Sequence, residues 1–127
     1  MNTLLSVHLH HVPEVYALAA LLEEWNYRVV QAANGQEALS CLARPWQQVD
    51  VILSDVVMPR LGGVGLVKAL RQDGVTTPVI LMSGYVAGVA RAALQEGEVA
   101  AWLEKPPNNA ALAGALAGAL AGALMST

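Results

Sequence analysis

The chain predicts a doubly wound α/β fold, with one five-stranded parallel sheet flanked by five helices. Three observations lead there. Apolar runs and amphipathic runs alternate five times along the 127 residues. The run Asp50–Ser54 (DVILS) is almost continuously apolar, as a strand covered on both faces must be. Each strand–helix unit is also long enough for a right-handed crossover that returns the chain parallel to itself. The length suits one domain with one core, and no effector domain is expected.

The first strand is expected over Leu4–Leu9, followed by a helix over Pro13–Trp25. In that helix Ala17, Leu18, Leu21, Leu22 and Trp25 share one face at helical spacing. Tyr27–Ala32 reads as a short strand, and the Asn34-Gly35 turn leads into a helix near Gln36–Ala43. After the central strand, Gly62-Gly63 precedes a helix over Val64–Gln72. Pro78–Met82 is the fourth strand and Val86–Glu96 its following helix. Ala100–Leu103 is the fifth strand, with Pro106-Pro107 behind it and a last helix over Asn109–Leu124.

Composition narrows the function classes. Hydrophobic residues make up 55% and charged ones 13%, which is the balance of a folded chain rather than a disordered one. Seven basic residues against ten acidic ones give a formal charge of −3. The basic residues are scattered and form no stripe, so no nucleic-acid surface is expected. Cys41 is the only cysteine; it forms no intramolecular disulfide and reads as a small buried hydrophobe. Asn2–Val12 lacks a basic lead segment and is interrupted by three histidines, which argues against a signal peptide. A cytoplasmic setting without membrane insertion is expected.

In doubly wound sheets, ligands and chemistry gather beyond the carboxyl ends of the strands. The residues at that rim are His10 and His11, Asp55, Ser83 and Lys105. A carboxylate, a hydroxyl and an ammonium gathered there suit phosphoryl chemistry. The carboxylate can act as nucleophile, and the other two can stabilise charge on the transferred group. His8, inside the expected strand, reads as a satisfied core histidine.

Four segments in order then carry a resemblance. Val49–Gly63 (VDVILSDVVMPRLGG), Val79–Tyr85 (VILMSGY), Trp102–Pro106 (WLEKP) and Asn34–Leu39 (NGQEAL) together resemble the receiver domain of response regulators. The resemblance implies a flavodoxin-like receiver fold with strand order 2-1-3-4-5. It also implies a signalling role without enzymatic turnover of its own. Asp55 would accept a phosphoryl group from a histidine kinase or phosphotransfer protein. Lys105 would pair with that group and Ser83 would hydrogen-bond one of its oxygens. Trp102, together with Tyr85, would be the aromatic switch. Met58-Pro59 would shape the loop, and Asp55 and the Val57 backbone carbonyl would ligate metal.

The chain departs from the pattern at the end of the first strand. Receivers normally carry two consecutive acidic residues there, which bind Mg²⁺ with the phosphoacceptor. Counting back without a gap puts Leu9 and His10 in those positions; matching Pro13-Glu14 puts His10 and His11 there. Neither alternative is acidic. Mg²⁺ is a hard ion that wants oxygen ligands, so Mg²⁺ binding is expected to be weak and no cofactor to be required. The loss of two carboxylates should also lower the Asp55 pKa relative to an ordinary receiver, through reduced repulsion. A different outcome would be a transition-metal sensor in which His10, His11 and Asp55 hold Zn²⁺ or Ni²⁺. Adjacent residues on an extended strand point to opposite faces, which weighs against both imidazoles converging.

From Pro106 to Thr127 no residue is charged. Leu112, Leu116, Leu120 and Leu124 recur every four residues, and so do Gly114, Gly118 and Gly122. One face of this helix must cover the sheet, and the other has no charge for solvent. A homodimer through the last helix would be apolar and tolerant of salt. The functional expectation is an atypical receiver that works by protein–protein contact, with phosphorylation of Asp55 weak or absent; a working aspartyl-phosphate acceptor is the alternative.

Overall fold

The computed structural model describes residues 1–8, 13–84, 91–95 and 97–125, the side chains of 13–15 and 123–125 excepted. Its strands are β1 (Asn2–Val7), β2 (Tyr27–Ala32), β3 (Val51–Asp55), β4 (Val79–Ser83) and β5 (Ala101–Glu104). Its helices are α1 (Pro13–Glu24), α2 (Gly35–Leu42), α3 (Gly63–Gln72) and α4 (Asn109–Met125). The sheet order is β2-β1-β3-β4-β5, all parallel, as the sequence predicts. Most of the helix expected over Val86–Glu96 lies outside the described residues, so four helices are seen among them.

The three central strands alternate their side chains between two cores, as the pleat requires. Leu5, Val7, Ile52, Val79 and Leu81 pack against Ala38 and Cys41 of α2 and Leu66, Val67 and Leu70 of α3. Leu4, Val51, Leu53, Ile80 and Met82 face the other way, onto Leu22 of α1 and Leu112, Leu116 and Ala119 of α4. The expected leucine spacing of the last helix is realised at Leu112 and Leu116, both 1% exposed; one turn later the buried position is Ala119. A four-residue repeat drifts around a helix of 3.6 residues per turn, which brings Ala119 under the sheet and leaves Leu120 half-buried. Cys41 is buried, as its small apolar character suggests.

Helix ends follow local chemistry. Asn34 caps α2 by accepting the Glu37 N–H at 2.9 Å, which satisfies one of the free donors of the first turn. Asn26 stops the chain after α1 in the left-handed region at φ 70°, a conformation Asn tolerates better than most residues. No helix is long and apolar enough to cross a membrane among the described residues.

The first strand needs a correction. The sequence extends it to Leu9, but it ends at Val7. Apolar alternation continues in the sequence past Val7, the last residue paired with both neighbours. Val7 pairs with Ala32 on one side and with Ser54 on the other, and the His8 N–H still reaches the Ala32 carbonyl at 3.0 Å. His8, not His10, is therefore the first residue beyond the strand. Continuing the β1–β3 register sets it beside Asp55.

Candidate functional site

Asp55 is the last residue of β3 and 5% exposed. Its backbone is fixed from the β4 side: Asp55 pairs with Met82, and the Val56 N–H donates to the Met82 carbonyl at 2.9 Å. The following loop is tied back by Gly63 N–H to the Val56 carbonyl at 2.9 Å and by Gly35 N–H to the Leu61 carbonyl at 2.9 Å. Gly63 has to be glycine. A Cβ there would sit 2.5 Å from the Asp55 carbonyl oxygen and 2.8 Å from Leu81 Cδ2.

Two side chains converge on the carboxylate. Lys105 Nζ lies 2.7 Å from Oδ1, and His8 Nδ1 lies 3.3 Å from Oδ2. The two differ in surroundings. The His8 side chain is 4% exposed and that of Lys105 is 45% exposed, so one contact is internal and the other sits at the protein–water boundary. The Lys105 contact is one of charge, since no aligned hydrogen bond reaches Oδ1 among the described residues. His8 Nε2 is buried with no partner among them. Lys105 is positioned by its own N–H, which donates to the Ser83 carbonyl at 2.7 Å, and is followed by a cis peptide bond to Pro106.

Burial by itself pushes the Asp55 carboxyl up, but the contacts and charges of His8 and Lys105 outweigh it and hold the carboxyl below its ordinary value. Partners that favour the anion hold it there.

Ser83, the last residue of β4, is 7% exposed and lies one step beyond Met82, the partner of Asp55. Trp102 pairs with Leu81 in the sheet and packs half-buried on the α2–α3 side. The Arg91 guanidinium stands over its ring, 5.2 Å from the centroid, within cation–π range. Val57 sits in the loop after β3 and is 83% exposed. Leu9, His10, His11 and Tyr85 lie outside the described residues.

His8 is the site residue that sequence reading missed. A signal for it existed. His8 is the first titratable residue after the apolar run Leu4–Val7, much as Asp55 ends the run that begins at Val51. Treating both central strands as ending at that point would have placed the two side by side.

The described donors do not suit Mg²⁺. A small hard ion wants several oxygen ligands in near-octahedral geometry. Here one carboxylate is present with a cation on one oxygen and an imidazole on the other. No group of three His, Cys, Asp or Glu side chains able to hold a metal occurs among the described residues.

The family model for the response regulator receiver domain matches residues 11–117. The two-component response regulator-like protein PRR73 of Oryza sativa subsp. indica is 40% identical over 68 residues, covering 52% of this chain and 9% of that protein. Protein PilH of Pseudomonas aeruginosa is 39% identical over 72 residues, covering 55% of this chain and 58% of PilH. The matches thus span less than two thirds of these relatives. The solved receiver domain protein of Clostridium thermocellum has a TM-score of 0.88 over 100% of both chains at 22% identity, a likeness of fold.

Proposed function

This chain belongs to the response regulator receiver domain family, and on that premise we propose that it is an atypical receiver whose Asp55 is phosphorylated weakly or not at all. As a family, receivers are signalling modules of two-component systems rather than enzymes. The observation that carries the finer reading is the closed pairing of Asp55, with His8 on Oδ2 and Lys105 on Oδ1. A phosphoacceptor must bring a free carboxylate oxygen to phosphorus, and the charge on the transferred group must be neutralised. Oδ2 is engaged by a buried imidazole. The single exposed cation near Oδ1 would do alone what a metal and a lysine share elsewhere. Metal neutralisation is worth several kcal/mol in such transfers, and each 1.4 kcal/mol is roughly tenfold in rate.

On this reading the module acts by contact. A histidine kinase or phosphotransfer protein is the expected signalling partner. A second copy is the expected partner of α4, whose exposed positions Ala110, Ala113, Gly114, Ala117, Gly118 and Ala121 bear no charge. Nothing in the charge distribution favours nucleic acid or a membrane, and the expected setting is the cytoplasm.

A working phosphoacceptor is the second reading, and one observation favours it: Lys105 already stands 2.7 Å from Oδ1 on the open side of the site. In that case Oδ1 would form a bond to phosphorus as the donor's P–N bond breaks, the imidazole of the donor leaving with a proton. Intact mass after incubation with a small-molecule phosphodonor, with and without Mg²⁺, separates the two. The proposal expects at most a trace of the adduct of about 80 Da that one phosphoryl group adds. A stoichiometric adduct on wild type that vanishes in Asp55→Ala would overturn it.

A further inference from the structure

We infer that His8 fills, as a protein side chain, the place beside Asp55 that a divalent cation would need, so that the site is indifferent to Mg²⁺. The inference rests on the reading of Asp55 as a closed site and deepens it by naming the residue that closes it.

Backbone pairing fixes where His8 stands. Val7 lies in register with Ala32 on one side and Ser54 on the other, and the His8 N–H is tied to the Ala32 carbonyl. The imidazole is carried at the end of a central strand and is 4% exposed. It reaches Oδ2 with Nδ1, which can present a proton to a carboxylate in the charged ring and in one neutral tautomer.

A metal on Asp55 would need a carboxylate oxygen at about 2.0–2.1 Å. An ion on Oδ2 would have to share that oxygen with the His8 contact or make His8 withdraw. His8 Nε2 already lacks a partner among the described residues, so withdrawal would strand both ring nitrogens in a buried position, which is unfavourable. Oδ1 can be given up only if the ion displaces or approaches the Lys105 ammonium, now 2.7 Å away, against like-charge repulsion. No second carboxylate among the described residues offsets either cost.

The test is thermal unfolding of the whole chain in MgCl₂ up to ~10 mM at matched ionic strength, read by Trp fluorescence; an ion that binds only the native state raises Tm. Wild type is expected to show no Mg²⁺-specific rise. His8→Asp places a carboxylate beside Asp55 and is expected to lower Tm without Mg²⁺ and to recover it by several degrees with Mg²⁺. A saturable Mg²⁺-specific rise in wild type overturns the inference, and this arm needs no variant to fold. A folded His8→Asp protein that responds to Mg²⁺ no more than wild type overturns it as well. His8→Asn, neutral and short, is the control and should gain less than His8→Asp; an equal gain would make loss of the imidazole, rather than a new carboxylate, the cause and would leave the blocking role of His8 standing. A phosphoryl adduct formed equally well without Mg²⁺ would defeat the proposed weak phosphorylation while supporting this inference. Mg²⁺-dependent stabilisation of wild type without an adduct would do the reverse.

Discussion

Replacing Asp55 with Ala should destabilise this protein, and the sign of the effect is informative. In a cluster of carboxylates, deleting one relieves repulsion and favours the fold. Here the carboxylate instead satisfies a buried imidazole, with side-chain exposures of 4% for His8 and 8% for Asp55. Losing a hydrogen-bonding contact to a charged group, and with it orphaning the buried donor, together cost about 1.5–3 kcal/mol. The Lys105 pair adds about 0.5 kcal/mol at most, because that side chain is 45% exposed and solvent screens it. The sum is about 2–3 kcal/mol, which for a domain of this size is a fall in Tm of about 10 °C. Urea unfolding followed by Trp fluorescence measures it directly. In a His8→Leu background the same change should cost about 1–2 kcal/mol less, since the contact is already gone. An Asp55→Ala protein as stable as wild type, or more so, would refute the claim that Asp55 is held by its partners.

Because the folded Asp55 carboxyl is held below its ordinary value, its stabilising contribution is fully present above the unfolded carboxyl value of about 3.9. It is lost as pH falls through the lower folded value. The stability gap between wild type and Asp55→Asn should therefore shrink on acidification below about pH 4; a gap constant from neutral pH downward would contradict this. Gly63→Ala should lose more than about 2 kcal/mol, because its Cβ would meet backbone at 2.5 Å in a site that cannot yield. Gly118→Ala should gain up to about 1 kcal/mol, since no atom lies within 4 Å of the new Cβ and alanine is the better helix residue; chemical denaturation of both variants checks the contrast. Leu116→Ala should cost about 2–5 kcal/mol as a buried leucine lost from the core. If α4 supports self-association, sedimentation should show a dimer that survives high salt, since this helix carries no charge to screen.

The sheet was legible because its signals are redundant. Runs such as DVILS and VILM have no plausible exposed face, and crossover length and handedness leave little choice of topology. Asp55, Ser83 and Lys105 could be placed at one rim for the same reason. Strand ends were less legible. Leu9 continues the apolar alternation of β1, yet pairing with Ala32 and Ser54 stops at Val7. Periodicity reports which face a residue occupies, not how far a neighbouring strand extends to meet it. That two-residue error is what hid His8 from the site. The contact of Arg91 with Trp102 was also beyond reach, since it joins distant segments through side chains alone.

The pairing of His8 with Asp55 is tested most directly by the ring state of His8, read by histidine ¹⁵N NMR, with His8→Gln used to assign its signals among the three histidines. Nδ1 is expected to carry a proton, with the Asp55 carboxylate 3.3 Å away, and its signal to change strongly in Asp55→Ala. A bare Nδ1, or a ring that does not sense the loss of Asp55, would contradict it.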